Sequence, residues 1–118
     1  MSDAHDDTCL FCRIVAGDIP SQTMHESDAI LAFRDVDPKA PTHVLLIPKE
    51  HVRDLTELGD GHGEMLAELM QAAAHLAETE GLDDGWRLVA NVGPAAGQSV
   101  LHLHFHLLGG RSLGWPPG

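Results

Sequence analysis

The sequence predicts an α+β domain: a five-stranded antiparallel sheet, one long helix and a short N-terminal helix. Three observations carry this. Short apolar or alternating stretches follow one another across tight turn signals, as consecutive antiparallel strands require. Only residues 61–80 hold apolar side chains at helical spacing over several turns. The third is His102-Leu103-His104-Phe105-His106, where polar and apolar residues alternate at the period of a strand. Strands joined by short turns, with one helix, imply a sheet covered on one face.

The elements follow in order. Residues 1–8 are polar and acidic and are expected to be disordered, leaving one domain over 9–118. Leu10–Val15 reads as a short helix ended by Gly17. Thr23–Glu26 and residues 29–33 read as two strands joined at Ser27-Asp28, and Asp35-Val36-Asp37-Pro38 as a turn. Residues 42–47 form an apolar strand closed by Pro48. In the long helix, Met65, Leu66, Leu69, Met70, Ala73, Leu76 and Ala77 make one stripe, and Gly81 ends it. Residues 86–91 are the fourth strand, a glycine-containing loop follows, and the histidine run is the fifth. The tail from Leu113 to Gly118 holds two prolines and is non-regular.

Composition limits the function. A chain of 118 residues has room for one hydrophobic core. No apolar run is long enough to span a membrane. The N-terminus lacks the basic region and apolar stretch of a signal peptide, so a cytoplasmic location is expected. Seven basic residues against 18 acidic ones argue against binding long nucleic acids, whose phosphates need Lys and Arg. A small anion remains open, because backbone N–H groups and neutral donors hold one locally.

The alternation puts His102, His104 and His106 on one face of a strand, with Leu103, Phe105 and Leu107 on the other. The row is expected to face a cleft. Three groups that titrate near neutral pH suit chemistry better than a core. A metal tripod fits poorly, because residues i and i+4 of a strand lie about 13 Å apart and a Zn–N bond is about 2 Å. The loop before the row, residues 91–99, offers Asn91 and Ser99 as neutral donors. Gly97 lets the backbone come close to a ligand. It lacks the lysine of a P-loop and opens no helix, so its reading is a plausible phosphate cradle.

Cys9 and Cys12 are half of a tetrahedral zinc site, with His51 and His102 as candidates to complete it; two buried thiols are the alternative. Asp35 is a turn-forming carboxylate or an acceptor for a ribose diol. His5, His25, His43, His62 and His75 are scattered and take no role.

His102-Leu103-His104-Phe105-His106-Leu107-Leu108 resembles the His-x-His-x-His-x-x signature of the histidine triad (HIT) family. Leu10-Phe11-Cys12-Arg13-Ile14, Ile19-Pro20, Leu31-Ala32-Phe33-Arg34-Asp35, Ala40-Pro41-Thr42-His43, Leu46-Ile47-Pro48-Lys49, Gly97-Gln98-Ser99-Val100 and Trp115-Pro116-Pro117-Gly118 are similar to its Hint branch. The Cys pair places the chain nearer the zinc-binding members. The resemblance implies a HIT-like homodimer that binds purine nucleoside monophosphates. It also implies hydrolysis of purine nucleoside 5′-phosphoramidates to the nucleotide and an amine. By position, His104 is the nucleophile, and His102, His106 and His51 assist. Asn91, Gln98 and Ser99 hold phosphate, and Asp35 binds ribose. Leu10, Phe11, Ile14, Ile19, Phe33 and Val36 line the base pocket, and Trp115 approaches the partner's site. Zinc on Cys9, Cys12, His51 and His102 would be structural and would leave His104 and His106 as the working pair.

The expected chemistry is attack by His104 on the α-phosphorus through a nucleotidyl-imidazole. One ring nitrogen would carry a proton anchored on a backbone carbonyl and leave the other free to attack, and His106 or Ser99 would help protonate the amine. No acidic cluster for magnesium is evident, so no cofactor is expected in catalysis. Three rivals remain. One is a hydrolase or transferase of dinucleoside polyphosphates or nucleotidyl-sulfates. Another is a nucleotide-sensing or protein-interaction module with incidental catalysis, and the last a metalloenzyme using the imidazoles on a catalytic ion.

Overall fold

The computed structural model describes residues 8–118. The expected N-terminal segment therefore lies outside the described residues, apart from Thr8 in a turn. The elements are α1 (Leu10–Val15), β1 (Thr23–Glu26), β2 (Ile30–Arg34), β3 (Thr42–Pro48), α2 (Gly63–Thr79), β4 (Trp86–Val89) and β5 (Phe105–Gly109). The sheet is antiparallel throughout, in the order β1-β2-β3-β5-β4. This is the α+β arrangement that the sequence predicts.

Strand parity divides the core in two. Ile30 and Ala32 of β2, Val44 and Leu46 of β3, and Phe105 and Leu107 of β5 share one face. They pack against Leu69, Ala72, Ala73, Leu76 and Ala77, the inner stripe of α2. Each large side chain buried there stabilises the fold by about 1.5–3 kcal/mol. Leu31, Phe33, Leu45 and Ile47 point the other way and meet Cys9, Phe11 and Cys12 around α1. The second face is thus covered as well, and β3 is buried along its whole length. A short helix with only two buried side chains, Phe11 and Cys12, does this because both land on the central strands.

Two expectations need correction. The long helix does not begin at residue 61: Asp60–His62 forms a 3-10 turn, and α2 starts at Gly63. The fourth strand ends at Val89, two residues early. Gly81, at φ +74°, ends the helix as its sequence position predicts.

The C-terminal end of β5 is packed without slack. Gly110 has φ +91°, and a Cβ there would stand 2.8 Å from the Pro41 ring. Proline cannot rotate away. Gly110→Ala combines left-handed strain with overpacking and should cost about 2–4 kcal/mol. Urea unfolding checks this, and a change under 1 kcal/mol would show that Pro41 yields.

Candidate active site and metal centre

Register explains why three polar side chains converge on one sheet face. Leu45 pairs with His106 and His43 with Leu108, so His43 and His106 are diagonal neighbours on β3 and β5. Asp35 follows β2, and its N–H donates to the His43 carbonyl at 2.9 Å. Asp35, His43 and His106 therefore step across three strands on the face that carries Phe33 and Leu45. His43 Nε2 lies 2.9 Å from His106 Nδ1 and 3.4 Å from Asp35 Oδ2.

The first two histidines of the row are not in the sheet. The expected strand starts at Phe105, not at His102. Pro48 gives the reason: it ends β3 and has no N–H to continue the ladder beyond Leu46–Phe105. Residues 102–104 instead follow the chain after β3. Leu103 N–H donates to the Val52 carbonyl, and His102 Nε2 lies 2.8 Å from the Pro48 carbonyl. The imidazoles are not a solvated row either. His102 is fully buried, His104 is buried, and only His106 is partly open.

Each tautomer follows from its partners. His102 Nε2 faces a carbonyl and must carry the proton, so its Nδ1 is bare. His104 Nδ1 lies 2.7 Å from the His102 carbonyl, so it carries the proton and Nε2 keeps its lone pair. This is the backbone anchor expected for a nucleophile. His43 Nδ1 accepts from the Lys39 N–H at 3.0 Å, which leaves its proton on Nε2, facing His106 Nδ1. His106 then holds its proton on Nε2. That atom is buried and is the only such side-chain polar atom without a partner among the described residues. An N–H with no acceptor, beside the bare Nε2 of His104, is what an incoming phosphoryl oxygen would satisfy. The His104 and His106 rings stand 5.0 Å apart, and Phe11 meets His104 edge-on at 5.1 Å.

Burial sets the charge of these rings. It pushes His106 down to about 4, and the charges of His104 and His43 push the same way. His43 is also lowered, chiefly by burial, with Asp35 opposing. His102 is lowered to about 4, again by burial, against the pull of the Pro48 carbonyl. His43, His102 and His106 are therefore uncharged at pH 7.

The second cluster lies behind the first. Cys9, Cys12, His51 and His102 bring one donor atom each within 4.8 Å of one another. Cys12 Sγ is 3.2 Å from His51 Nδ1 and 3.5 Å from His102 Nδ1. Cys9 Sγ is 3.3 Å from His102 Nδ1, and the two Nδ1 atoms are 3.3 Å apart. A tetrahedral zinc with bonds of about 2.0–2.3 Å has edges of about 3.3–3.6 Å, so the spacing fits. Two nitrogens would face each other here across a gap of ion size, one of them bare. Cys9 also accepts from the Cys12 N–H as the N-cap of α1. The cluster thus ties α1, the chain after β3 and the histidine segment together.

The remaining sequence-predicted residues divide. Leu10, Ile14 and Ile19 lie on or just after α1, with Phe11 and Phe33 buried between helix and sheet. Val36 is fully exposed beyond β2. Ser99 is exposed and Asn91 half-buried, on opposite arms of a loop whose turn holds Pro94–Ala96. Gly97 adopts φ +96°, which a side chain would resist. Gln98 is buried: Oε1 accepts from Gly93 N–H, and Nε2 donates to the Arg53 and Val100 carbonyls. Its amide shapes the loop. Trp115 stands 83% exposed in the tail. His43, given no role from sequence, is the residue missed. Its signal was parity with Leu45 and Ile47, but the partner strand and register were needed to use it.

Comparison with known proteins agrees with this geometry. The HIT domain family pattern matches residues 16–113. A 14 kDa zinc-binding protein of Zea mays is 46% identical over 115 residues, 96% of this chain and 90% of the relative. A protein named adenylylsulfatase HINT1 from Arabidopsis thaliana is 45% identical over 117 residues, 96% of this chain and 78% of its own. The crystal structure of a HIT family hydrolase from Legionella pneumophila superposes with a TM-score of 0.91 at 50% identity, covering 93% of this chain and 99% of that one.

A ring whose folded pKa is depressed loses stability as pH falls, because the unfolded chain takes the proton first. Stability should therefore hold above pH 6.5 and decline as pH falls from 6.5, the ordinary value for His106, toward about 4, its folded value. Ring ¹⁵N NMR should find His106 neutral, with its proton on Nε2, at pH 6. An imidazolium signal at that pH would contradict the assignment.

Proposed function

The chain belongs to the HIT domain family, a family of nucleotide hydrolases, and we propose that it cleaves purine nucleoside 5′-phosphoramidates through a nucleotidyl-histidine. The observation that carries this is the pairing of a bare nitrogen, His104 Nε2, with an unpartnered N–H, His106 Nε2. Residues 9–118 act as one domain. The buried thiols suit a reducing cytoplasm.

In the first step His104 Nε2 bonds to the α-phosphorus and the P–N bond to the amine breaks. The ring becomes positive, and its Nδ1–H bond to the His102 carbonyl becomes charge-assisted, which stabilises the intermediate. His106 Nε2–H donates to a phosphoryl oxygen, held in place by His43 at its other nitrogen. The departing nitrogen takes a proton from water through the exposed Ser99 hydroxyl. In the second step water replaces His104 on phosphorus. One water is consumed: its hydroxyl ends on the nucleotide and its proton on the amine.

Phe11, Phe33, Leu10, Ile14 and Ile19 supply apolar walls for a purine, and Asp35 stands where a ribose diol would reach it. Asn91, Ser99 and the backbone turned by Gly97 supply neutral donors for phosphate. Cys9, Cys12, His51 and His102 would hold zinc in a structural role, fixing His102 and through its carbonyl His104. With four protein donors the site is closed to substrate.

The edge of the sheet supports a homodimer. β4 is an edge strand, and its Trp86 is 41% exposed. Arg87 of β4 donates to the Leu113 and Gly114 carbonyls, which clamps the tail along that edge. A copy paired there would receive Trp115 at its own site. The chain should sediment at twice its 12.7 kDa mass, and a monomer at micromolar concentration would refute the dimer.

The rival reading is adenylyl-sulfate cleavage, as the name of the Arabidopsis relative indicates for that protein. Both substrates present the same phosphorus, so rates decide. Adenosine 5′-phosphoramidate should be turned over with a higher kcat/KM than adenylyl-sulfate or a dinucleoside polyphosphate. His104→Ala should lower kcat by about 10⁴-fold or more while AMP still binds. If AMP binding is lost in step with turnover, His104 is structural. Preference for adenylyl-sulfate would reassign the leaving group.

A further inference from the structure

The four-residue metal cluster is closed on one side and open on the other. Cys12 and His102 are 1% and 0% exposed. Cys9 and His51 instead form part of the wall of a cleft of about 660 Å³. Leu10 and Ser99, which the proposed nucleotide reading also uses, stand in the same wall, with Leu101, which is 59% exposed, Arg53 and Glu57. Cys9, 8% exposed, and the half-buried His51 thus border a space large enough for a small molecule, and Cys12 and His102 are sealed behind them.

The rim has its own chemistry. Glu57 Oε1 accepts from the Arg53 backbone N–H at 2.8 Å, and its other oxygen lies 3.8 Å from Arg53 Nη1. The Arg53 side chain is half exposed and paired on both sides, its Nε 3.2 Å from Asp54 Oδ2 and its Nη1 3.8 Å from Glu57.

We infer that this cleft is a metal-exchange mouth, through which a small chelator, a thiolate or an aminocarboxylate, reaches Cys9 and His51 and carries zinc in or out. The proposal rests on zinc occupying the cluster. Exchange proceeds one donor at a time. An incoming carboxylate or amine would take the place of His51 Nδ1, which would leave with its lone pair. A second donor would take the place of Cys9, whose thiolate would take a proton from water. Cys12 and His102, the two sealed residues, would release last. Each donor lost would be matched by one gained, and no redox partner is needed. α1 need not unfold, because Leu10 and Cys9 already stand at the cleft wall.

The test uses the whole chain loaded with zinc, with nitrilotriacetate as the chelator. Metal analysis should give one zinc per chain, and the release rate should rise linearly with nitrilotriacetate concentration. Nitrilotriacetate linked to a large dextran should strip the metal about tenfold more slowly, and Leu101→Trp should slow the free chelator by a similar factor. That variant should keep its AMP affinity. Substoichiometric zinc overturns the metal reading and this proposal together. Stoichiometric zinc with a release rate independent of chelator concentration, matching hydrogen-exchange opening of α1, overturns the mouth alone. Loss of AMP binding in Leu101→Trp would assign the cleft to the nucleotide and also overturn it.

Discussion

His102 is held at three points, and the site depends on all three. Its Nε2–H reaches the Pro48 carbonyl, its Nδ1 faces the two sulfurs and His51, and its own carbonyl receives the proton of His104. The first bond fixes the ring and its tautomer, the second sets the bare Nδ1 in the cluster, and the third fixes the tautomer of His104. A buried residue thereby decides which nitrogen of His104 keeps its lone pair.

Neutrality is the second constraint. Four imidazoles lie close together in a region poor in water, and burial keeps His43, His102 and His106 uncharged at pH 7. Neutral rings must each offer one donor and one acceptor, so their hydrogen bonds order them into a chain with a direction. The Lys39 N–H begins it, His43 passes it on, and it ends at the unpartnered Nε2–H of His106. Asp35 flanks this chain without leading it. A strongly acidic protein can accept an anionic ligand here because the local donors are uncharged and convergent, whatever the net charge of the surface.

The sheet supplies the precision. Antiparallel register puts His43 and His106 diagonally across β3 and β5, with Asp35 just after β2 beside them, and α2 packs on the opposite face. His104 lies in the segment that precedes β5, and His106 lies within the strand. The loop that carries Asn91 and Ser99 is pinned by the Gln98 amide. That division, strands for His43 and His106 and a shaped loop beside them, suits chemistry in which positioning does most of the work.

By itself the sequence determined the α+β class, each strand and helix to within a few residues, and the chemistry available at 102, 104 and 106. It did so because strand alternation and helical spacing are local, and a local pattern needs no partner to be read. The pairing of Cys9 and Cys12 with His51 and His102 was also legible, since tetrahedral zinc sites use few donor sets. Tertiary structure alone decided the rest. That His102 turns away from the sheet follows from Pro48, 54 residues earlier, ending the neighbouring strand. That His43 belongs to the site follows from the β3–β5 register, which joins residues 63 apart. Neither fact is written in any short window, because register and burial arise only when distant segments pack.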